Sequence, residues 1–199
     1  DEPGRLSHRA AMKRIAITGG IGSGKSFVCR LLAQRGIRVY DCDAAAKRLM
    51  RTDAVLQRQL RELVGDDVYQ DHDLQKRVLA SFLLASNENK QAVDDIVHPA
   101  VAQDFEQSGC AWLESAILFD SGFDRRVAFD AFVFVDAPLE VRVRRIMARD
   151  HITREKAMQW IDSQLPAEEV RRRCDYTIVN DGEADLDRQV DDMLRSLGQ

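Results

Sequence analysis

Apolar residues along this chain follow two rhythms. Ile15, Ala16 and Ile17 form an unbroken apolar run that ends in a glycine cluster, the pattern of a short strand buried on both faces. Beyond the glycines Phe27, Val28, Leu31 and Leu32 recur at helical spacing as far as Gly36, which suits a C-terminal cap, and residues 37–40 read as a second strand. From Asp43 to about Gln107 the rhythm is helical: Leu56, Leu60, Leu63 and Val64, then Leu74, Val78, Leu79, Phe82 and Leu83, then Val93, Ile96 and Val97. No strand is expected inside this stretch. Pro99 is expected to break or restart a helix, because it has no amide donor and biases His98 away from helical geometry. Strands return at 111–119 and 131–135, followed by a helix at 139–149. A second helical piece follows Thr153 with Ala157, Trp160 and Ile161 on one face; a strand at 176–179 and a helix carrying Leu186, Val190, Met193, Leu194 and Leu197 close the chain.

Five strands alternating with helices predict an α/β fold: a five-stranded parallel sheet with helices on both faces, right-handed crossovers, and chemistry just after the strands. The pattern divides the chain into a core of residues 12–43, 108–141 and 170–199, a helical insert at 44–107 and a helical lid at 142–169. Residues 1–11 are polar and precede Met12, and read as an expression leader.

Composition narrows the function classes. Against 33 Asp and Glu stand 29 Lys and Arg, a net charge of -4 that argues against nucleic-acid binding through overall positive charge. No run of about 18 apolar residues is present to span a bilayer. Cys29, Cys42, Cys110 and Cys174 are scattered without metal-ligand spacing, so reduced thiols and a cytoplasmic location are expected.

The strongest chemical signal is Gly19-Gly20-Ile21-Gly22-Ser23-Gly24-Lys25-Ser26, which fits G-x-x-x-x-G-K-[ST] between a strand and a helix. It predicts a P-loop NTPase core. Its backbone amides and the following helix N-terminus form an anion cradle for a triphosphate. Lys25 would bridge the β- and γ-phosphates of ATP, and the Ser26 hydroxyl would ligate Mg²⁺. After the second strand, Asp41 and Asp43 are candidates to orient an acceptor hydroxyl and take its proton, although an Asp here equally suits a helix cap. Were the strand to continue, the two would point to opposite sides. Arg142, Arg144, Arg145, Arg149 and Arg154 crowd one helical region; Arg149 and Arg154, beside the break at 150–153, are the expected lid arginines. Arg77 and His98 are candidates for the acceptor, and Asn180-Asp181-Gly182 for framing adenine.

Taken together, Thr18 to Ser26, Asp41-Cys42-Asp43, His98-Pro99, Arg149-Asp150, Thr153-Arg154-Glu155, Gln164, Asp175 and Asn180-Asp181-Gly182 resemble the dephospho-coenzyme A kinases. The resemblance runs from Met12 nearly to the C-terminus. It implies transfer of the ATP γ-phosphoryl group to the ribose 3'-hydroxyl of dephospho-CoA, giving CoA and ADP. It further implies that Asp43 is the base, that Lys25 and Ser26 serve phosphate and magnesium, that the insert binds the acceptor through Arg77 and His98, and that Arg149 belongs to the lid. Two departures stand out: Phe27 replaces a common Thr, and Glu114 to Asp120 replaces a Pro-Leu-Leu-x-Glu run, so Glu114 and Asp120 are left out of the catalytic set. A nucleoside or nucleoside-monophosphate kinase is the alternative of the same class. A nucleotide-dependent switch is the alternative of another, though Asn89-Lys90-Gln91-Ala92 does not make the guanine-reading N-K-x-D. Self-association is left open.

Overall fold

The computed structural model describes residues 13–199, so the leader reading at 1–11 lies outside the described residues. The chain runs β1 (Ile15–Thr18), α1 (Lys25–Gln34), β2 (Val39–Asp41), α2 (Cys42–Thr52), α3 (Ala54–Val64), β3 (Tyr69–Gln70), β4 (Asp73–Leu74), α4 (Lys76–Ala85) and α5 (Asn87–Ser108). It continues through β5 (Trp112–Glu114), β6 (Ala131–Asp136), α6 (Leu139–Asp150), α7 (Arg154–Asp162), α8 (Ala167–Arg172), β7 (Tyr176–Val179) and α9 (Leu186–Leu197).

The main sheet has five parallel strands in the order β2-β5-β1-β6-β7, as the alternation of strands and helices predicts. Its centre, β1, is buried along its whole length, and the period-2 alternation of its side chains divides the interior. Ile15 and Ile17 face Val28 and Leu32 of α1 and Val190 and Met193 of α9. Ala16 belongs with Leu113, Phe134 and the α5 residues Val97, Val101 and Phe105 on the opposite face. A third, small cluster joins Val143 and Ile146 of α6 to Ala157 of α7, with Ile21 and Trp160 packed against it. Because the strands are parallel, their carboxyl ends share one edge, which gathers the segments after Thr18, Asp41, Glu114, Asp136 and Val179.

Three local expectations give way. The third core strand stops at Glu114 instead of reaching 119. Glu114 pairs with Ile17, and just beyond it β1 ends and the glycine loop turns off, so later residues have no ladder to join. Leu118 and Phe119 are buried from a turn instead. The insert does contain strands: β3 and β4 form a hairpin too short to show a two-residue period, turned at Asp71 with φ 55° and tied down by the Tyr69 hydroxyl donating to the Met50 carbonyl at 2.6 Å. Pro99 lies inside the continuous 22-residue α5. An interior proline costs about 3 kcal/mol. Burial of Val93, Val97, Val101 and Phe105 from the same helix, at about 1.5–3 kcal/mol each, outweighs it.

Candidate active site

The phosphate loop is shaped by close approach. Gly24, at the N-cap of α1, has φ 89°, and a side chain there would run into the Asn180 amide nitrogen. Gly20 is covered in the same way by the Arg142 guanidinium. Gly24→Ala is therefore expected to cost about 1–3 kcal/mol through backbone strain and to weaken nucleotide binding in parallel. Urea unfolding and a nucleotide titration on one preparation check both, and an unaltered titration would refute the steric account. The first amides of α1 have no intrahelical acceptor and point, with the helix dipole, toward the loop. Ser23 Oγ is buried there without a hydrogen-bond partner among the described residues. Loop and helix end thus present unused donors, as an anion cradle requires.

Lys25 is buried at the foot of this cradle. Its Nζ donates to the Gly19 carbonyl at 2.7 Å and lies 3.7 Å from Glu114 Oε1. Burial lowers the ammonium's pKa and raises that of the Glu114 carboxyl, and each charge partly offsets the shift of the other. Glu114, outside the catalytic set expected from sequence, lies beside the lysine because it ends β5 next to β1, register-paired with Asp41 of β2. The signal available was positional: an acidic residue closing a strand that neighbours the phosphate-loop strand.

Asp41 and Asp43 do not diverge as a continued strand would make them. β2 ends at Asp41 and α2 begins at Cys42, so both carboxylates line the same cleft. They divide in role: Asp41 caps α2, accepting from the Ala44 amide at 2.9 Å, whereas Asp43 is exposed and, among the described residues, paired only with Lys47 one turn on. Asp41 is occupied by the backbone; Asp43 is available to a ligand.

The arginines sort differently from expectation. Arg154 is bound to Glu140 by two hydrogen bonds, at 2.6 and 2.8 Å, and does not face the cleft. Arg142, nearly buried, donates to the Ile21 carbonyl at 2.9 Å, and Arg145 donates to the Gly22, Ser23 and Asn180 carbonyls. These two brace the phosphate loop. One turn further out from Arg145, Arg149 lines the cleft and is mostly exposed, forked onto Asp150. Sequence spacing could not separate the bracing arginines from the cleft-facing one, because only the packing of α6 fixes which face meets the loop. Asn180 is buried behind the loop, its amide donating to the Ser23 carbonyl at 2.8 Å and its oxygen accepting from Arg145. Gln164, just after α7, ties that segment to the loop, accepting from the Ile21 amide at 2.8 Å.

One cleft of about 1000 Å³ gathers most of the expected residues: Ile21, Gly22, Gly24, Lys25, Ser26, Asp43, His98 and Arg149. Gly20, Ser23 and Asn180 support it from behind, and Arg77, exposed on α4, is not part of its wall. The insert side is apolar, with Met50 from α2, Leu79, Leu83 and Leu84 from α4, and Val93 and Val97 from α5. His98 stands 3.6 Å from Asp94, and burial lowers its pKa despite that carboxylate, so the imidazole is neutral at neutral pH. The cleft therefore has a polar end with the donors of an anion cradle and a long apolar wall able to take an extended organic group.

Comparison with known proteins gives this geometry a family. The model of the family described as dephospho-CoA kinase matches residues 13–185. The dephospho-CoA kinase of Bacteroides fragilis strain YCH46 is 42% identical over 193 residues, covering 94% of this chain and 93% of that protein. Among solved structures, TT1252 from Thermus thermophilus superposes with a TM-score of 0.74 at 33% identity, over 93% of this chain and 95% of that one. Dephospho-CoA kinase from Campylobacter jejuni has a TM-score of 0.63 at 20% identity, over 92% of this chain and 96% of that one, a likeness of fold.

Proposed function

We propose a division of labour among these residues from one premise: the chain belongs to the dephospho-CoA kinase family, and phosphorylates dephospho-CoA with ATP as co-substrate in the last step of CoA synthesis. The observation that supports it best is the cleft itself, where the phosphate loop, the exposed Asp43 carboxylate in the first turn of α2, and an apolar wall meet.

In this reading the ATP triphosphate lies along Gly20 to Ser26. Lys25 exchanges the Gly19 carbonyl for phosphate oxygens and follows the charge that develops on the leaving group. The acceptor ribose lies beside Asp43, whose carboxylate accepts the hydrogen bond of the 3'-hydroxyl, aligns its oxygen on the γ-phosphorus and receives the proton as transfer completes. Arg149 releases Asp150 to neutralise the equatorial phosphate oxygens. Because the transition state is loose, alignment and charge neutralisation carry most of the rate.

Magnesium fits the donors present. The cleft offers the Ser26 hydroxyl and the Asp41, Asp43 and Glu114 carboxylates, all hard oxygen donors. Ser26 would hold the ion against the phosphates, where it would supply charge neutralisation. No helix among the described residues is long and apolar enough to cross a membrane, and we place the enzyme in the cytoplasm with its thiols reduced.

The test is ADP release on addition of dephospho-CoA, adenosine or nucleoside monophosphates to enzyme and Mg-ATP. Release driven by dephospho-CoA, with the new phosphate on the 3'-oxygen by phosphorus NMR, is the expected result. Preference for a monophosphate acceptor would move the chain to the alternative kinase class.

A further inference from the structure

The acceptor brings a problem of charge. Dephospho-CoA carries a diphosphate between its adenosine and its pantetheine arm, and that diphosphate must enter the same cleft as the triphosphate of ATP. Five cleft-lining side chains have a basic nitrogen: Lys25, Lys90, His98, Arg145 and Arg149. Four are engaged: Lys25 with Gly19 and Glu114, Arg145 with the loop carbonyls and Asn180, Arg149 with Asp150, and His98, neutral, beside Asp94. Lys90 alone makes no side-chain hydrogen bond or ion pair among the described residues.

Its position is as telling. Lys90 stands at the first turn of α5, where a cation opposes the helix dipole, so local helix stability does not account for it. It lies on the face that also presents Asp94 and His98, at successive i, i+4 steps, and is about 12 Å along the axis from His98. It also lines a smaller side pocket of about 290 Å³ with Ile21, Asp120, Trp160 and Gln164, where insert, lid and the turn after β5 converge. Lys90 thus lines both the cleft and this side pocket, with its charge on a flexible stem.

We infer that Lys90 is a specificity-determining residue that binds the 5'-diphosphate of the acceptor, fixing the adenosine end toward Asp43 and directing the pantetheine arm along the Leu79–Leu83–Leu84 wall. The inference rests on dephospho-CoA as the acceptor. It accounts for a cation, free among the described residues, at the edge of an insert wall built mainly from Met50, Leu79, Leu83, Leu84, Val93 and Val97, and it gives the enzyme a handle that adenosine lacks and that a monophosphate fills only in part.

Steady-state kinetics of Lys90→Gln, Lys90→Glu and Lys90→Arg, with each substrate varied at saturation of the other, test it. Lys90→Gln is expected to raise KM for dephospho-CoA about tenfold, equal to about 1.4 kcal/mol, with kcat and KM for ATP within about twofold of the wild type. Lys90→Glu is expected to raise it further and Lys90→Arg to restore most of it. Added salt is expected to raise the wild-type KM for dephospho-CoA far more than that of Lys90→Gln, because the screened ion pair is gone from the variant. Lys90 is exposed, and unchanged thermal unfolding of the variants shows that folding is intact. An unchanged KM for dephospho-CoA overturns the inference, and so does a rise confined to ATP, which would assign Lys90 to the nucleotide. Failure of the wild-type enzyme to phosphorylate dephospho-CoA at all would instead remove the acceptor assignment.

Discussion

Asp43→Asn is expected to lower kcat roughly 10²- to 10⁴-fold while leaving nucleotide affinity nearly intact. The amide keeps the shape of the carboxylate but does not take the acceptor's proton and orients its hydroxyl poorly. Structure makes the variant a clean one. Asp43 is exposed and, among the described residues, bonded only to Lys47, so the lost surface pair is worth about 0–1 kcal/mol. Its favourable place in the first turn of α2 adds about 0.3–1 kcal/mol. Neither loss unfolds a domain of this size. The neighbouring Asp41 would be a poor choice, because it caps α2 and any kinetic defect would be mixed with fraying. Single-turnover phosphoryl transfer with calorimetric nucleotide titration is the decisive pair of measurements, and wild-type turnover would take Asp43 out of the mechanism.

Lys25→Ala is expected to injure binding and chemistry together. Removing a preorganised cation from a developing charge costs roughly 10²- to 10³-fold in kcat, and the β- and γ-phosphates lose their ligand in the ground state too. The buried carboxylate left at Glu114 has no other cation within ion-pair distance among the described residues, so the free variant is itself expected to be less stable by about 1–3 kcal/mol. The diagnostic is the response to nucleotide. At a concentration 100 times Kd, wild-type protein gains about 2.7 kcal/mol of apparent stability, and the variant is expected to gain almost none at that concentration. A full ligand-induced rise in Tm would contradict the assignment of Lys25.

Legibility followed how local each cause is. The sheet, the phosphate loop and the helical character of most of the insert rest on short-range patterns: an apolar run, glycines, a 3.6-residue period. What the pattern missed depends on partners distant in sequence. Pro99 continues its helix because the core holds Val97 and Val101 on either side of it. β5 ends at Glu114 because β1 ends, which residues 115–119 do not encode. The arginines divide by which face of α6 meets the phosphate loop, a rotation set by Val143 and Ile146 in a cluster shared with α7. Glu114 gains its meaning only when parallel pairing brings it beside Lys25. Asn180 appeared as a loop residue after the last strand, whereas its burial against Ser23 makes it part of the loop's backing.

A kinase is defined also by the reaction it refuses. ATP poised for transfer is equally poised for attack by water, and futile hydrolysis would drain the nucleotide whenever the acceptor is absent. The small cluster that joins Val143, Ile146 and Ala157 draws in Ile21 from the phosphate loop itself and Trp160 from α7. The glycine loop, α6 and α7 thus share one apolar seam. With the proposed placement of ATP along the loop, that seam would shield one flank of the triphosphate from bulk water, and the side facing Asp43 would be the route by which a hydroxyl arrives.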